Sequence, residues 1–193
     1  TEASSVLRVL RRAIKIAATP PMGPVYVCLP MDILDAPVQE PVRPTSLPST
    51  RTAPDESWLR EAAAMLAGAE TPMFFVGDGV AYSQAQDELT RVAEIVGAEV
   101  WEADAGEVNM AYAHPLYMGM TGHMFGYNSL PITSRGDVNF VCGTYMLPEV
   151  FPILGDIFAP GSKCIHVDRN SDRRDHPRHP CRDRDPSVHE RLG

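Results

Sequence analysis

The sequence predicts an α/β fold: a Rossmann-like, doubly wound parallel sheet with helices on both faces. Between residues 55 and 168, apolar runs of strand length alternate with stretches of helical periodicity. The runs close on Gly or Asp, as in Gly77-Asp78-Gly79, Cys142-Gly143 and Val167-Asp168. Met73-Phe74-Phe75-Val76 is apolar at every position and reads as a buried strand. Strand–helix alternation of this kind builds βαβ units, whose crossovers are right-handed.

Taken in order, Ser4 or Ser5 caps a first helix with Val6, Val9, Leu10, Ala13, Ile14 and Ala17 on one face. Arg8, Arg11, Arg12 and Lys15 share the opposite, solvated face. Pro20, Pro21 and Gly23 stop it, because proline has no N–H to continue the ladder. Residues 25–29 (Val-Tyr-Val-Cys-Leu) then read as a short apolar strand closed by Pro30, one that needs partners from elsewhere. From 35 to 54, Pro37, Pro41, Pro44, Pro48 and Pro54 favour an extended crossing and mark a linker.

The second unit opens with Pro54 and Asp55 as a start signal for a helix bearing Trp58, Leu59, Ala62, Ala63, Leu66 and Ala67, ended by Gly68. After the strand at 73–76 comes a helix over 83–96, with Leu89, Val92 and Ala93 inward and Gly97 past its end. Further strands are expected at Val100-Trp101, 137–143 and 163–168. The expected division is 1–34, the end of one domain; 35–54, linker; 55–168, a central Rossmann-like domain; and 169–193, a polar, disordered tail. The tail is rich in Arg, Pro, His and Asp, with only Cys181, Val188 and Leu192 apolar. That mixture also matches out-of-frame translation of a GC-rich gene. Thr1 is not a natural start, so the chain reads as a piece of a longer protein.

A chain of 193 residues with 44% apolar and 22% charged residues belongs to the ordinary globular class. The net charge is −8; the last 25 residues hold seven Arg against four Asp and one Glu, so the body is more acidic still, at −10. An acidic body argues against nucleic acid, since phosphate neutralisation needs a basic face. No apolar run reaches a membrane span and no signal peptide is visible, so a cytoplasmic location is expected. Cys28, Cys142, Cys164 and Cys181 form no C-x-x-C pair or zinc pattern, and reduced thiols are expected.

Several segments together resemble one family. Arg12-Ala13-Ile14 to Ala17-Ala18, Gly23-Pro24-Val25-Tyr26-Val27, and Leu29-Pro30 with Asp32 are similar to the close of the pyrimidine-binding domain in thiamine-diphosphate-dependent 2-oxo-acid enzymes. Phe75-Val76-Gly77-Asp78-Gly79, Glu88-Leu89 and Ala93-Glu94 resemble the opening of their middle domain. His114-Pro115-Leu116-Tyr117-Met118-Gly119, Val141-Cys142-Gly143-Thr144 and Phe158-Ala159-Pro160-Gly161 resemble the benzoylformate decarboxylase and acetolactate synthase branch. The match spans about residues 6 to 168. It implies a non-catalytic middle domain, which carries part of FAD in acetolactate synthases and no ligand in the decarboxylases. It also implies that thiamine diphosphate and Mg²⁺ are bound outside this segment, by flanking domains of a homo-oligomer.

The resemblance also raises a competing metal reading. The family's magnesium motif begins Gly-Asp-Gly after an apolar strand and ends in Asn about thirty residues on. Asp78 and Asn109 stand at that spacing. The approach to Asn109, residues 103–108, is polar and loop-like instead of an apolar strand, which disfavours a metal here. The alternative to the thiamine enzyme is a free-standing FAD- or NAD-type module, with Gly77, Gly79 and Asp168 as nucleotide-binding candidates at the sheet edge. His114, before Pro115, reads as a loop cap or packing residue, His123 as a helix-start residue with no identifiable partner acid, and His166 as a buried or hydrogen-bonded residue within a strand. No catalytic residue is assigned within the chain.

Overall fold

The computed structural model describes residues 2–168 apart from Pro21, Gln39, Asp104, His123, Tyr145, Leu147 and Pro148. The expectations for His123 at a helix start and for a disordered tail at 169–193 lie outside the described residues. The chain divides into two compact units, Thr1–Ala53 and Pro54–Gly193.

In the first unit, α1 (Val6–Ala18) forms where the periodicity places it. Of its apolar stripe only Val6 is buried, and Ile14 and Ile16 are exposed. Arg11 pairs with Glu40 at 2.9 Å. The strand expected at 25–29 is absent: residues 22–30 are irregular, and Tyr26 is 89% exposed. A strand needs a neighbour for its N–H and C=O groups, and the first unit has no other strand among its described residues. After Pro30, α2 (Met31–Leu34) adds one short turn of helix.

The second unit opens with α3 (Glu56–Ala67), whose cap is Asp55 accepting from the Ser57 N–H at 2.7 Å. It continues through β1 (Pro72–Val76), α4 (Gly79–Tyr82), α5 (Gln86–Val96), β2 (Glu99–Glu102), β3 (Tyr117–Met120), α6 (Gly126–Thr133), β4 (Val138–Cys142) and β5 (Lys163–Val167). The strands form one five-stranded sheet in the order β3-β2-β1-β4-β5, and every pairing is parallel. The chain runs outward from β1 to β3, then returns to lay β4 on the other side of β1. That reversal is the switch point of a doubly wound sheet.

Alternation along β1 divides the core. Phe74 and Val76 join Trp58, Ala62 and Leu66 of α3, Leu89 and Ala93 of α5, Val100 and Ile165. Met73 and Phe75 face the other way, with Val141, Ile157 and Phe158, and with Leu130 and Ile132 of α6 packed against them. Helices therefore cover both faces, as the alternation pattern requires. Phe140 and Val167 are only partly buried, toward the β5 edge.

Three elements depart from the sequence reading. The helix expected over 83–96 begins only at Gln86, as α5, and is divided from the short α4 before it by Gln84, which takes φ +56°. The strand β3 carries Gly119 at φ +110°, and its pairing with β2 shifts register between Val100 and Trp101. Glycine and methionine there hide the usual strand signature. α6 contains Pro131, which reads as a breaker but sits within its 8 residues. Cys28 and Cys142 are free thiols, whereas Cys164 is disulfide-bonded, contrary to the expectation of reduced cysteines. Spacing alone does not reveal such pairing. Among the described residues no helix is long and apolar enough to cross a membrane.

Candidate functional site

In doubly wound sheets, ligands enter the crevice at the carboxyl ends of the strands flanking the switch point. Here those strands are β1 and β4, and the turn after β1 is Gly77-Asp78-Gly79. The Gly77 N–H donates to Cys142 O at 3.1 Å, the Gly79 N–H to Gly143 O at 3.0 Å, and the Val80 N–H to Gly77 O at 3.0 Å. A Cβ on Gly79 would lie 2.5 Å from Gly143 Cα, and one on Gly77 would lie 2.7 Å from Thr144 Cβ. The glycines thus allow two backbone loops to touch across the switch point. A dinucleotide turn uses glycine to bring backbone amides up to a pyrophosphate. In this turn the same amides already bond protein carbonyls.

Asp168 follows β5, beyond β4 from the glycine turn. All three nucleotide candidates therefore share the carboxyl edge, but the β4 end stands between Asp168 and the glycines. Burial pushes the Cys142 thiol up to about 12, and the Asp168 carboxylate adds to that rise.

Asp78 Oδ1 accepts from the Gly106 N–H at 2.8 Å and the Glu107 N–H at 2.9 Å, tying the β2–β3 loop to the turn. Asn109 is fully buried. Its Oδ1 accepts from the Ala81 N–H at 3.2 Å, and its Nδ2 donates to Glu102 Oε1 and Glu107 O, each at 3.2 Å. Both residues are thus engaged in holding one loop. Among the described residues no group of three or more His, Cys, Asp and Glu is arranged to hold a metal ion.

The residue that sequence reasoning passed over is Glu102. It ends β2, the position where dinucleotide folds place the acid that binds a ribose. It is 1% exposed and faces inward. The Asn109 N–H (3.3 Å) and side chain reach its Oε1, and the Tyr117 hydroxyl donates to Oε2 at 2.9 Å. Burial, reinforced by the Glu102 carboxylate, holds the Tyr117 phenol well above its ordinary range. The signal was available in the acidic end of an apolar run, Val100-Trp101-Glu102, some 25 residues past the glycine turn.

His114 and His166 have structural partners. The Leu116 N–H donates to His114 Nδ1 at 3.2 Å, so Nε2 carries the proton toward Glu94 Oε1 at 3.2 Å. His166 is buried on β5, with Nε2 3.3 Å from Thr144 O.

With this geometry in place, comparison with known proteins is informative. A family model described as "Thiamine pyrophosphate enzyme, central domain" matches residues 59–180. A probable acetolactate synthase large subunit of Methanocaldococcus jannaschii is 34% identical, over 82% of this chain and 28% of that protein. An acetolactate synthase of Mycobacterium bovis is 32% identical, over 83% and 26% respectively. Benzoylformate decarboxylase from Polynucleobacter necessarius superposes with a TM-score of 0.71 at 26% identity, covering 89% of this chain and 32% of that one. The chain thus spans between a quarter and a third of the length of these proteins. It belongs to the thiamine pyrophosphate enzyme family, as the bearer of its central domain.

Proposed function

We propose that this chain is a non-catalytic scaffold within a thiamine-diphosphate enzyme that decarboxylates or joins 2-oxo acids. The observation that carries the reading is the sealed carboxyl edge, where Gly79 and Gly143 meet backbone to backbone. When bound, thiamine diphosphate supplies the carbanion chemistry of such a reaction. The residues present do not fit its magnesium diphosphate. That group needs Asp and Asn oxygens presented to Mg²⁺, but Asn109 is buried and Asp78 Oδ1 accepts two backbone N–H groups. FAD is likewise poorly served at this turn, because its amides bond protein carbonyls.

The reading places cofactor and substrate on flanking domains of a cytoplasmic homo-oligomer, with neither nucleic acid nor membrane as partner. Self-association is supported by the exposed stack of Phe125 on Tyr127 and Phe151, with centroids at 5.2 and 5.3 Å. The test is an assay of the chain with thiamine diphosphate, Mg²⁺ and benzoylformate or pyruvate, alongside calorimetric titration with thiamine diphosphate and FAD. Neither binding nor CO₂ release above a buffer blank is expected. Cofactor-dependent CO₂ release would overturn the scaffold reading.

A further inference from the structure

Away from the glycine turn, the start of α6 and the segment after β4 meet at the surface of the second unit. The Phe151 N–H donates to Met124 O at 2.9 Å, and the Gly126 N–H donates to Phe151 O at 3.0 Å. These bonds pair Phe125 with Phe151 as an isolated parallel bridge. Gly126 permits the approach, since a Cβ there would lie 2.5 Å from the Ile153 backbone N. On this frame the Phe125 ring stacks on Tyr127 and on Phe151 at interplanar angles of 19° and 16°, which makes a flat platform. Tyr127 is 61% exposed, Phe151 60% and Leu154 79%, with Phe125, Val150 and Ile153 exposed beside them.

Area decides what such a face can do. With about 150–250 Å² for a whole aromatic side chain, these six side chains leave on the order of 600 Å² of mainly apolar surface open. A stable interface takes roughly 800 Å² from each partner, and about 65% of it is apolar in homodimers. The patch meets that apolar share. It also stands at the upper end of the ~300–600 Å² found for the largest patch on a monomer.

Charge narrows the occupant. Residues 124–133 and 150–155 include no Asp, Glu, Lys, Arg or His, so the face has no means of selecting a charged partner. The chain as a whole carries −8, and two copies repel wherever their surfaces bear that charge. An uncharged aromatic platform is where they can meet without that cost.

We propose that this platform is a two-fold interface between two copies of the chain, the aromatic stack of one lying against that of the other. The proposal rests on the homo-oligomer reading above and assigns it a surface. In a two-fold contact the same patch serves both sides and must complement itself, as flat stacked rings with apolar flanks do. The backbone bridge fixes the rings beforehand, so little ordering entropy is lost on association.

The test is sedimentation velocity of the full chain across a dilution series, with circular dichroism to verify the fold of each variant. The wild type is expected to move from monomer to dimer as concentration rises, without larger species. Phe151→Asp should weaken the dimer roughly thirtyfold or more, the loss of one hot-spot aromatic. Leu154→Asp, at the most exposed of these positions, should do likewise and decides the matter if Phe151→Asp does not fold. Ile14→Asp, on the exposed face of α1 in the first unit, should leave the dimer unchanged. A dimer that survives both Asp variants in the patch, or one that Ile14→Asp dissociates, would overturn this face while leaving the homo-oligomer reading standing. A chain that stays monomeric throughout would overturn the two-copy contact and make a flanking domain the occupant.

Discussion

Asp137 knits the amino edge of the sheet. Its Oδ2 accepts from the Glu70 N–H at 2.7 Å and its Oδ1 from the Thr71 N–H at 2.9 Å, joining the approach to β1 with the start of β4. Burial alone would raise this carboxyl, but the backbone N–H groups outweigh it and hold it below its ordinary value. A lowered native value means that the contribution to stability is present above the ordinary Asp value of 3.8 and disappears as pH falls through the native value. Asp137→Asn should therefore cost about 1–2 kcal/mol at neutral pH, and the gap to wild type should close on acidification. Urea unfolding at pH 7 and at pH 3 measures both. The Tyr117 hydroxyl on Glu102 permits a second check: Tyr117→Phe should cost about 1.5–3 kcal/mol, the worth of a hydrogen bond to a buried charge. Little of this residue-level detail was legible in the chain. Glu102, Asn109 and Tyr117 lie far enough apart in sequence that only the folded β2–β3 loop brings them together.

At the level of elements, local signals located what local physics governs. Asp55 caps α3, and Gly97 closes α5 in the left-handed region at φ +67°, both where the sequence placed them. The errors share a cause. Residues 25–29 have strand composition but no partner strand, so propensity goes unrealised. Gly119 and Pro131 argue against β3 and α6, yet edge pairing with β2 and packing against Met73 and Phe75 override them. At the glycine turn, Gly79 and Gly143 meet backbone to backbone. Gly79→Ala should lower stability by about 1–3 kcal/mol, as overpacking does, because its Cβ would strike the Gly143 backbone rather than a yielding side chain. Thermal unfolding of that variant, with circular dichroism to verify the fold, measures the loss.

For the whole molecule, the division between Ala53 and Pro54 falls at the end of the proline-rich stretch. The second unit contains the complete sheet and both core clusters. Residues 54–168 produced alone should thus fold and unfold in one cooperative transition, as single domains of this size do. Guanidinium unfolding followed by fluorescence and by far-ultraviolet circular dichroism should give coincident curves; separated transitions would show that the sheet depends on residues outside that span.

The strand–helix order, the parallel sheet and the family resemblance could be read from the chain, because periodicity and capping are short-range and each apolar run must be buried. Whether Gly77, Gly79, Asp78 and Asn109 serve a ligand could not be read, because the same residues suit a phosphate cradle, a metal site or a tight internal contact. The choice depends on what lies across the switch point. There Gly143 accepts the Gly79 N–H and Thr144 lies against Gly77, contacts from more than sixty residues later in sequence that no local pattern announces.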